Sequence, residues 1–93
     1  MASYDTVQEA ADRAADVLRQ NPNLEAKFYT SAKGIVPVDA GAKKMLDAAN
    51  SIGNINDGDR DIIIQDVARN PGAGHKTHEQ KMDGGTAITI APK

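Results

Sequence analysis

The chain has 93 residues, a formal net charge of −2 and no cysteine. This length suffices for one small domain with a single core. Acidic and basic residues are interspersed, so no basic patch can neutralise phosphates and the composition disfavours nucleic-acid binding. The lack of cysteine in the sequence excludes a disulfide framework and thiolate metal sites.

The overall composition, 40% hydrophobic and 26% charged, is typical of an ordinary folded domain. Aromatic residues are scarce, so the core must consist mainly of aliphatic side chains and alanine. The first twenty residues lack the uninterrupted apolar segment of a secretory signal, and no stretch approaches the length of a membrane span. We therefore expect a cytoplasmic protein without a membrane partner, with leaderless secretion as the alternative.

Apolar residues recur with helical spacing near the N-terminus. Ser3 precedes the pattern as an N-cap, and Pro22 follows it where the backbone ladder must stop. The sequence therefore predicts an amphipathic helix from Tyr4 to about Gln20. The apolar positions that define its buried face are Val7, Ala10, Ala11, Ala14, Val17 and Leu18.

A second, shorter helix is predicted from Leu24 to Lys33. Asn23 can cap its first turn. Leu24 and Phe28 share one helical face, and Gly34 can supply the left-handed stop after the last turn. The apolar run GIVPV comes next. Its Pro37 confines this run to the edge of a sheet or to a buried connection.

A third helix is predicted after this extended run. Asp39 can cap its first turn, the helix extends to about Ile52, and Gly53 follows it. The apolar positions on its inner side are Ala42, Met45, Leu46 and Ala49.

The segment GNINDGDRDIIIQD, residues 53–66, admits two interpretations. Alternate carboxylates are ligands that calcium prefers, and the calcium hypothesis assigns the ion to Asp57, Asp59, Asp61 and Asp66. Counted from Asp57, however, Ile62 occupies the position where an EF-hand loop needs glycine. Ala68 occupies the position of its closing glutamate.

The other interpretation is the start of a fourth helix. Asn56 or Asp57 caps it, acidic residues occupy its positive end, and Arg69 lies in its last turn. Ile63 and Val67 are one turn apart and belong to its buried face. The sequence favours this helix over a metal loop.

The only two histidines lie in the polar segment that follows NPGAG. His75, His78 and Glu79 have the order H-x-x-H-E, which differs from both zinc-hydrolase signatures, H-E-x-x-H and H-x-x-E-H. On a strand, the two histidines would point to opposite faces because their separation is odd. We predict exposed histidines without a ligand, and a metal-dependent hydrolase at these residues is the least favoured hypothesis.

The C-terminal stretch TAITI alternates as a strand does, and DGG at residues 83–85 predicts a hairpin turn before it. The partner strand is either residues 76–82 or the run GIVPV. Thr86, Ile88 and Ile90 share one face of this strand. They either pack on the helices or form a docking surface at which another chain adds a strand.

We predict a mainly α fold, a small three- to four-helix bundle with a short C-terminal β-strand or hairpin, and α+β as the alternative. Residues 1–69 would form the helical domain, and residues 70–93 a Gly- and His-containing tail whose terminal strand packs on it. The sequence has no cysteine nucleophile, no nucleophile elbow and no glycine-rich phosphate loop.

The predicted function is therefore that of a non-catalytic protein–protein interaction or regulatory module that needs no cofactor. Small bacterial and phage accessory proteins often have this composition. Such a module would act on another protein or on a second copy of itself, through a helix face or through Thr86, Ile88 and Ile90 of the C-terminal strand. A calcium-binding module at residues 57–66 is the alternative.

Overall fold

The computed structural model describes residues 3–72 and 74–93. Helices account for 46% of the described residues and strands for 29%, which makes the architecture α+β. The prediction of a mainly α bundle is therefore wrong, and its alternative describes the fold. The elements in chain order are α1 (Tyr4–Gln20), β1 (Ala26–Ser31), β2 (Gly34–Pro37), α2 (Ala40–Asn50), α3 (Asp57–Arg69), β3 (His75–Met82) and β4 (Gly85–Pro92).

The strands form one four-stranded sheet in the order β2-β1-β4-β3, with every neighbouring pair antiparallel. The C-terminal strand β4 therefore lies inside the sheet, between β1 and β3. Residues 75–92 belong to the same sheet as residues 26–37. The two edges of the sheet are β2 and β3.

The structure replaces the predicted second helix with a hairpin. Ala26 and Phe28 are buried while Lys27 between them is exposed, which is the two-residue period of a strand. Gly34 has a φ of +101°, and this left-handed residue ends the β1–β2 turn where a helix stop was predicted. Phe28 pairs with Ile88 of β4, so the strand forms because distant residues complete its ladder.

The other three helices are confirmed, and each begins at a predicted cap. Ser3 accepts a hydrogen bond from the Thr6 amide at the start of α1. Asp39 Oδ1 accepts from the Ala42 amide at 2.9 Å and from the Lys27 amide at 3.0 Å, so this cap also ties α2 to β1. Asn56 begins α3.

The core lies on one face of the sheet. Helices α2 and α3 contact the sheet, and α1 contacts both of them. Alanines on α1 and α2 allow close approach, as does Gly41, where a Cβ would be only 3.0 Å from the carbonyl carbon of Glu25. The larger fully buried side chains are Leu18, Phe28, Met45, Ile63, Ile64, Ile88 and Ile90.

No helix in residues 3–72 and 74–93 contacts the opposite face of the sheet, whose side chains are partly or fully exposed. We call it the outer face. On this face β4, one of the two interior strands, presents small residues, and the Tyr29 ring from β1 lies over Gly85 of β4. Val36 and Met82 flank this ring and are 49% and 52% exposed.

Candidate functional site

Two of the four aspartates of the calcium hypothesis form surface ion pairs. Asp57 Oδ1 accepts from Arg60 Nη1 at 2.6 Å, and Asp66 Oδ1 accepts from Arg69 Nη2 at 2.9 Å. Asp57 lies in the first turn of α3, whereas Asp66 lies in its last turns, where the helix rise separates them by about 13 Å. The structure does not bring these two carboxylates together.

The other two aspartates have structural partners. Asp59 is 2% exposed, and its Oδ2 accepts from the Asn56 amide while Asn56 Oδ1 accepts from the Asp59 amide, which forms a capping box. Asp61 Oδ1 accepts from the Thr30 hydroxyl at 2.8 Å, which joins α3 to β1. Among the described residues, no three His, Cys, Asp or Glu side chains converge to hold a metal ion. The calcium hypothesis therefore has no support from the geometry.

The two histidines lie on β3 and face opposite sides of the sheet, as their odd spacing predicts. His75 is on the helix side and 2% exposed, and its Nε2 lies 2.9 Å from the Leu24 carbonyl oxygen. The prediction of exposed histidines is wrong for this residue, because the segment between α1 and β1 covers it. His78 is exposed on the outer face. The hydrolase hypothesis, which requires both rings and Glu79 at one ion, has no geometric basis.

An open groove of about 480 Å³ runs between α1 and α3. Its floor consists of small apolar side chains, including Ala11, Ala15 and Val67. The two arginines at its rim, Arg19 and Arg69, each pair with an aspartate three residues earlier on the same helix. Because both arginines are paired with aspartates, neither offers an uncompensated positive charge to a ligand.

The docking surface predicted at Thr86, Ile88 and Ile90 is not available in this fold. The two isoleucines are 0% exposed and form part of the core. Strand β4 pairs with β1 on one side and with β3 on the other, so it cannot accept a further strand. These residues share one face as predicted, and the two isoleucines pack in the core, which is the other alternative that the sequence offered for this strand.

The accessible edge of the sheet is β3, and its ladder shows which backbone groups point outward. The Lys93 amide donates to the Gly74 carbonyl at 2.9 Å, one pair beyond the β3–β4 register. In an antiparallel ladder, hydrogen-bonded pairs alternate with pairs that share no hydrogen bond. Because Gly74 is hydrogen-bonded to Lys93, the even-numbered residues of β3 are the ones that bond to β4. Pro92, which has no N–H, faces His75 in agreement with this alternation. The N–H and C=O groups of Thr77, Glu79 and Lys81 therefore point away from β4.

The opposite edge, β2, offers much less to a partner. It has only four residues and includes Pro37, which cannot donate a backbone hydrogen bond. Strand β3 has eight residues, and none of them is proline.

The second half of β3 extends beyond the part of the strand that α3 covers. The Thr77 hydroxyl donates to the Ala68 carbonyl near the end of α3, at 2.5 Å. Farther along the strand, Glu79 and Lys81 lie on the helix side of the sheet yet are exposed. Two oppositely charged residues, Glu79 and Lys81, therefore lie on the helix side of the open edge, and their backbone groups point to solvent.

No protein family matches the chain, and neither the curated proteins nor the solved structures include a significant match. Every helix within the described residues is too short or too polar to cross a lipid bilayer.

The sequence reasoning identified β3 as a candidate strand but did not identify Glu79, Lys81 or Tyr29 as surface features. The first two carried a weak signal, because opposite charges at i and i+2 share one face of a strand. Tyr29 lies within the predicted second helix, and a helix at residues 24–33 predicts no contact between Tyr29 and Gly85.

Proposed function

We propose that the protein is a small interaction module that binds another polypeptide chain by strand addition at the edge of β3. One observation carries this proposal: β3 is an eight-residue edge strand without proline, and the backbone groups of Thr77, Glu79 and Lys81 point away from the sheet. An edge of this kind is a template for an added strand.

The outer face supports the same proposal. It continues directly from the edge and carries Tyr29, Val36 and Met82 as exposed or half-exposed apolar side chains. A strand added to β3 would place alternate side chains beside Met82 and His78 on this face. The non-catalytic character and cytoplasmic location stay predictions from the sequence.

A proline substitution on β3 tests the proposal. In Glu79→Pro, the lost N–H is one that points to solvent, so the β3–β4 ladder keeps its hydrogen bonds while the edge loses a donor. Glu79→Ala is the matched control, because it removes the same charge and keeps the N–H. Amide NMR spectra of both variants verify that they fold.

The measurement is capture from an extract of source cells on each immobilised variant, quantified by mass spectrometry, together with self-association of the purified chain. We expect Glu79→Ala to keep binding, weakened only by the loss of the Glu79 charge, and Glu79→Pro to lose it. If folded Glu79→Pro retains everything that the unmodified chain binds, strand addition at β3 is wrong.

A further inference from the structure

We propose that the strand added to β3 is the β3 strand of a second copy of this chain. The two strands would run antiparallel about a two-fold axis at Gln80 and join the four-stranded sheets into one continuous sheet. This inference rests on the proposed function and names its partner. It follows from the directions of the backbone groups, the charges on β3 and the position of α3.

Symmetry restricts the registers of such a pair. A two-fold axis perpendicular to the sheet places the helix-side faces of both copies on the same side of the joined sheet. Residues that face each other across the axis must therefore both be odd-numbered or both be even-numbered. Because Thr77, Glu79 and Lys81 carry the outward backbone groups, odd-numbered residues must form the hydrogen-bonded pairs between the copies. The axis must then pass beside a residue, and charge and burial together decide among the residues of β3.

An axis at Gln80 places Glu79 opposite Lys81 of the second copy, and the symmetry repeats this ion pair once. Directly opposed unlike charges stabilise an antiparallel pair, and opposed like charges destabilise it. An axis at Glu79 would place two glutamates against each other. An axis at Lys81 would do the same with two lysines.

Axes nearer the start of β3 meet the covered part of the strand. An axis at His78 would direct Lys81 of the second copy toward His75, whose side chain is already buried under the segment at Leu24. With the axis at Gln80, this covered end lies outside the paired region.

The helical layers also leave room for the Gln80 axis. The contact between Thr77 and Ala68 marks where α3 reaches β3, three residues from the axis. Six residue steps separate the equivalent contacts of the two copies, which amounts to about 20 Å along the strands. Side chains of Glu79 and Lys81 lie in this gap, exposed in the isolated chain.

The outer faces of the two copies become continuous in this arrangement. His78 lies opposite Met82 of the second copy, and the two Gln80 amides meet at the axis. The paired segment is short, about five residues per strand, so we expect association to become visible only at about 100 µM or above.

Sedimentation equilibrium over a range of concentrations tests the inference. For the unmodified chain, the average mass should rise from 9.8 kDa toward twice that value. Glu79→Lys and Lys81→Glu each place like charges opposite one another at both symmetry-related pairs. Each should therefore weaken self-association by at least about tenfold. The controls Glu9→Lys and Lys44→Glu make the same charge changes on exposed helix positions and should associate like the unmodified chain.

Mixing and combining the variants tests the register. An equimolar mixture of Glu79→Lys and Lys81→Glu restores unlike charges at both pairs of a mixed dimer. The double variant Glu79→Lys/Lys81→Glu restores them within its own dimer, which an axis at Glu79 would not do. We expect both samples to recover the mass increase, and circular dichroism verifies that each variant is folded.

Three results would overturn the inference: a constant mass of 9.8 kDa for the unmodified chain, single variants that associate like the controls, or no recovery in the mixture and the double variant. The first result separates the two proposals. A monomeric chain that still captures another protein in a Glu79→Pro-sensitive manner refutes the dimer and leaves the proposed function standing. A monomeric chain without such capture refutes both.

Discussion

Gly85 is the position where one added methyl group should disturb the sheet most. A Cβ built on its backbone would lie 2.6 Å from both Cζ and Oη of Tyr29 and would also collide with the Thr30 carbonyl oxygen. Nonbonded carbon and oxygen atoms do not approach so closely, so Gly85→Ala must displace the Tyr29 ring. Because Thr30 contributes a backbone atom, moving the ring alone cannot relieve the strain, and β1 and β4 must separate locally.

The expected cost follows from overpacking. Forcing a methyl group into a filled site typically destabilises a protein by about 1–3 kcal/mol. In a domain of this size, each kcal/mol lowers the melting temperature by about 4–8 °C, so Gly85→Ala should melt about 4–24 °C lower. Without the clash, the smaller conformational entropy of the unfolded alanine variant would raise stability by about 0.4–1 kcal/mol. The sign of the change therefore tests the contact.

Thermal unfolding followed by circular dichroism measures this effect, with Gly58→Ala as the matched control. Gly58 lies in the first turn of α3, and the nearest atom to its added Cβ would be Asn56 Oδ1 at an ordinary 3.4 Å. Because alanine favours helix, the control should gain about 0.5 kcal/mol. A Gly85→Ala variant that melts at or above the unmodified chain would refute the close approach of Tyr29 and Thr30 to Gly85.

Three further expectations concern the polar groups that join the elements. His75→Ala leaves the Leu24 carbonyl without its side-chain partner and should cost about 1–3 kcal/mol in urea unfolding, and an unchanged midpoint would contradict this role. Asn56→Ala removes half of the capping box and should cost about 1 kcal/mol, whereas Asn56→Ser should recover most of it. Calcium at about 1 mM should leave the melting temperature unchanged within about 1 °C, and a rise that tracks free ion would revive the calcium hypothesis.

The three helices of this protein are marked by short-range sequence signals, and the sequence alone predicts each of them. Ser3, Asp39 and Asn56 each stand before a stretch with helical spacing, and the first turn of each helix has its cap within three residues. The period and the cap belong to the same short segment. These three helices could therefore be predicted without reference to distant residues.

Residues 24–33 carried the same kinds of local signal, but the helix that they predict does not form. Leu24 and Phe28 have the spacing of a helix, and a glycine such as Gly34 ends a helix or turns a hairpin equally well. Pairing with β4 decides that this segment is a strand. Ile88 of β4 lies opposite Phe28, sixty positions earlier in the chain, and both side chains face the core. Residues 24–33 by themselves contain no sequence pattern that predicts a pairing partner so far along the chain.

The candidate interaction surface divides in the same way. The sequence by itself predicted the turn at residues 83–85 and the common face of Ile88 and Ile90, because the strand period of two is local. It left two candidate partners for the last strand, and the structure shows that residues 75–82 are one of its partners. Only the tertiary structure decided that β4 lies inside the sheet and β3 at its edge. That strand order depends on the long-range pairing of β1 with β4, in which Phe28 lies opposite Ile88. Because β3 is then at the edge of the sheet, its outward backbone groups are available to another chain.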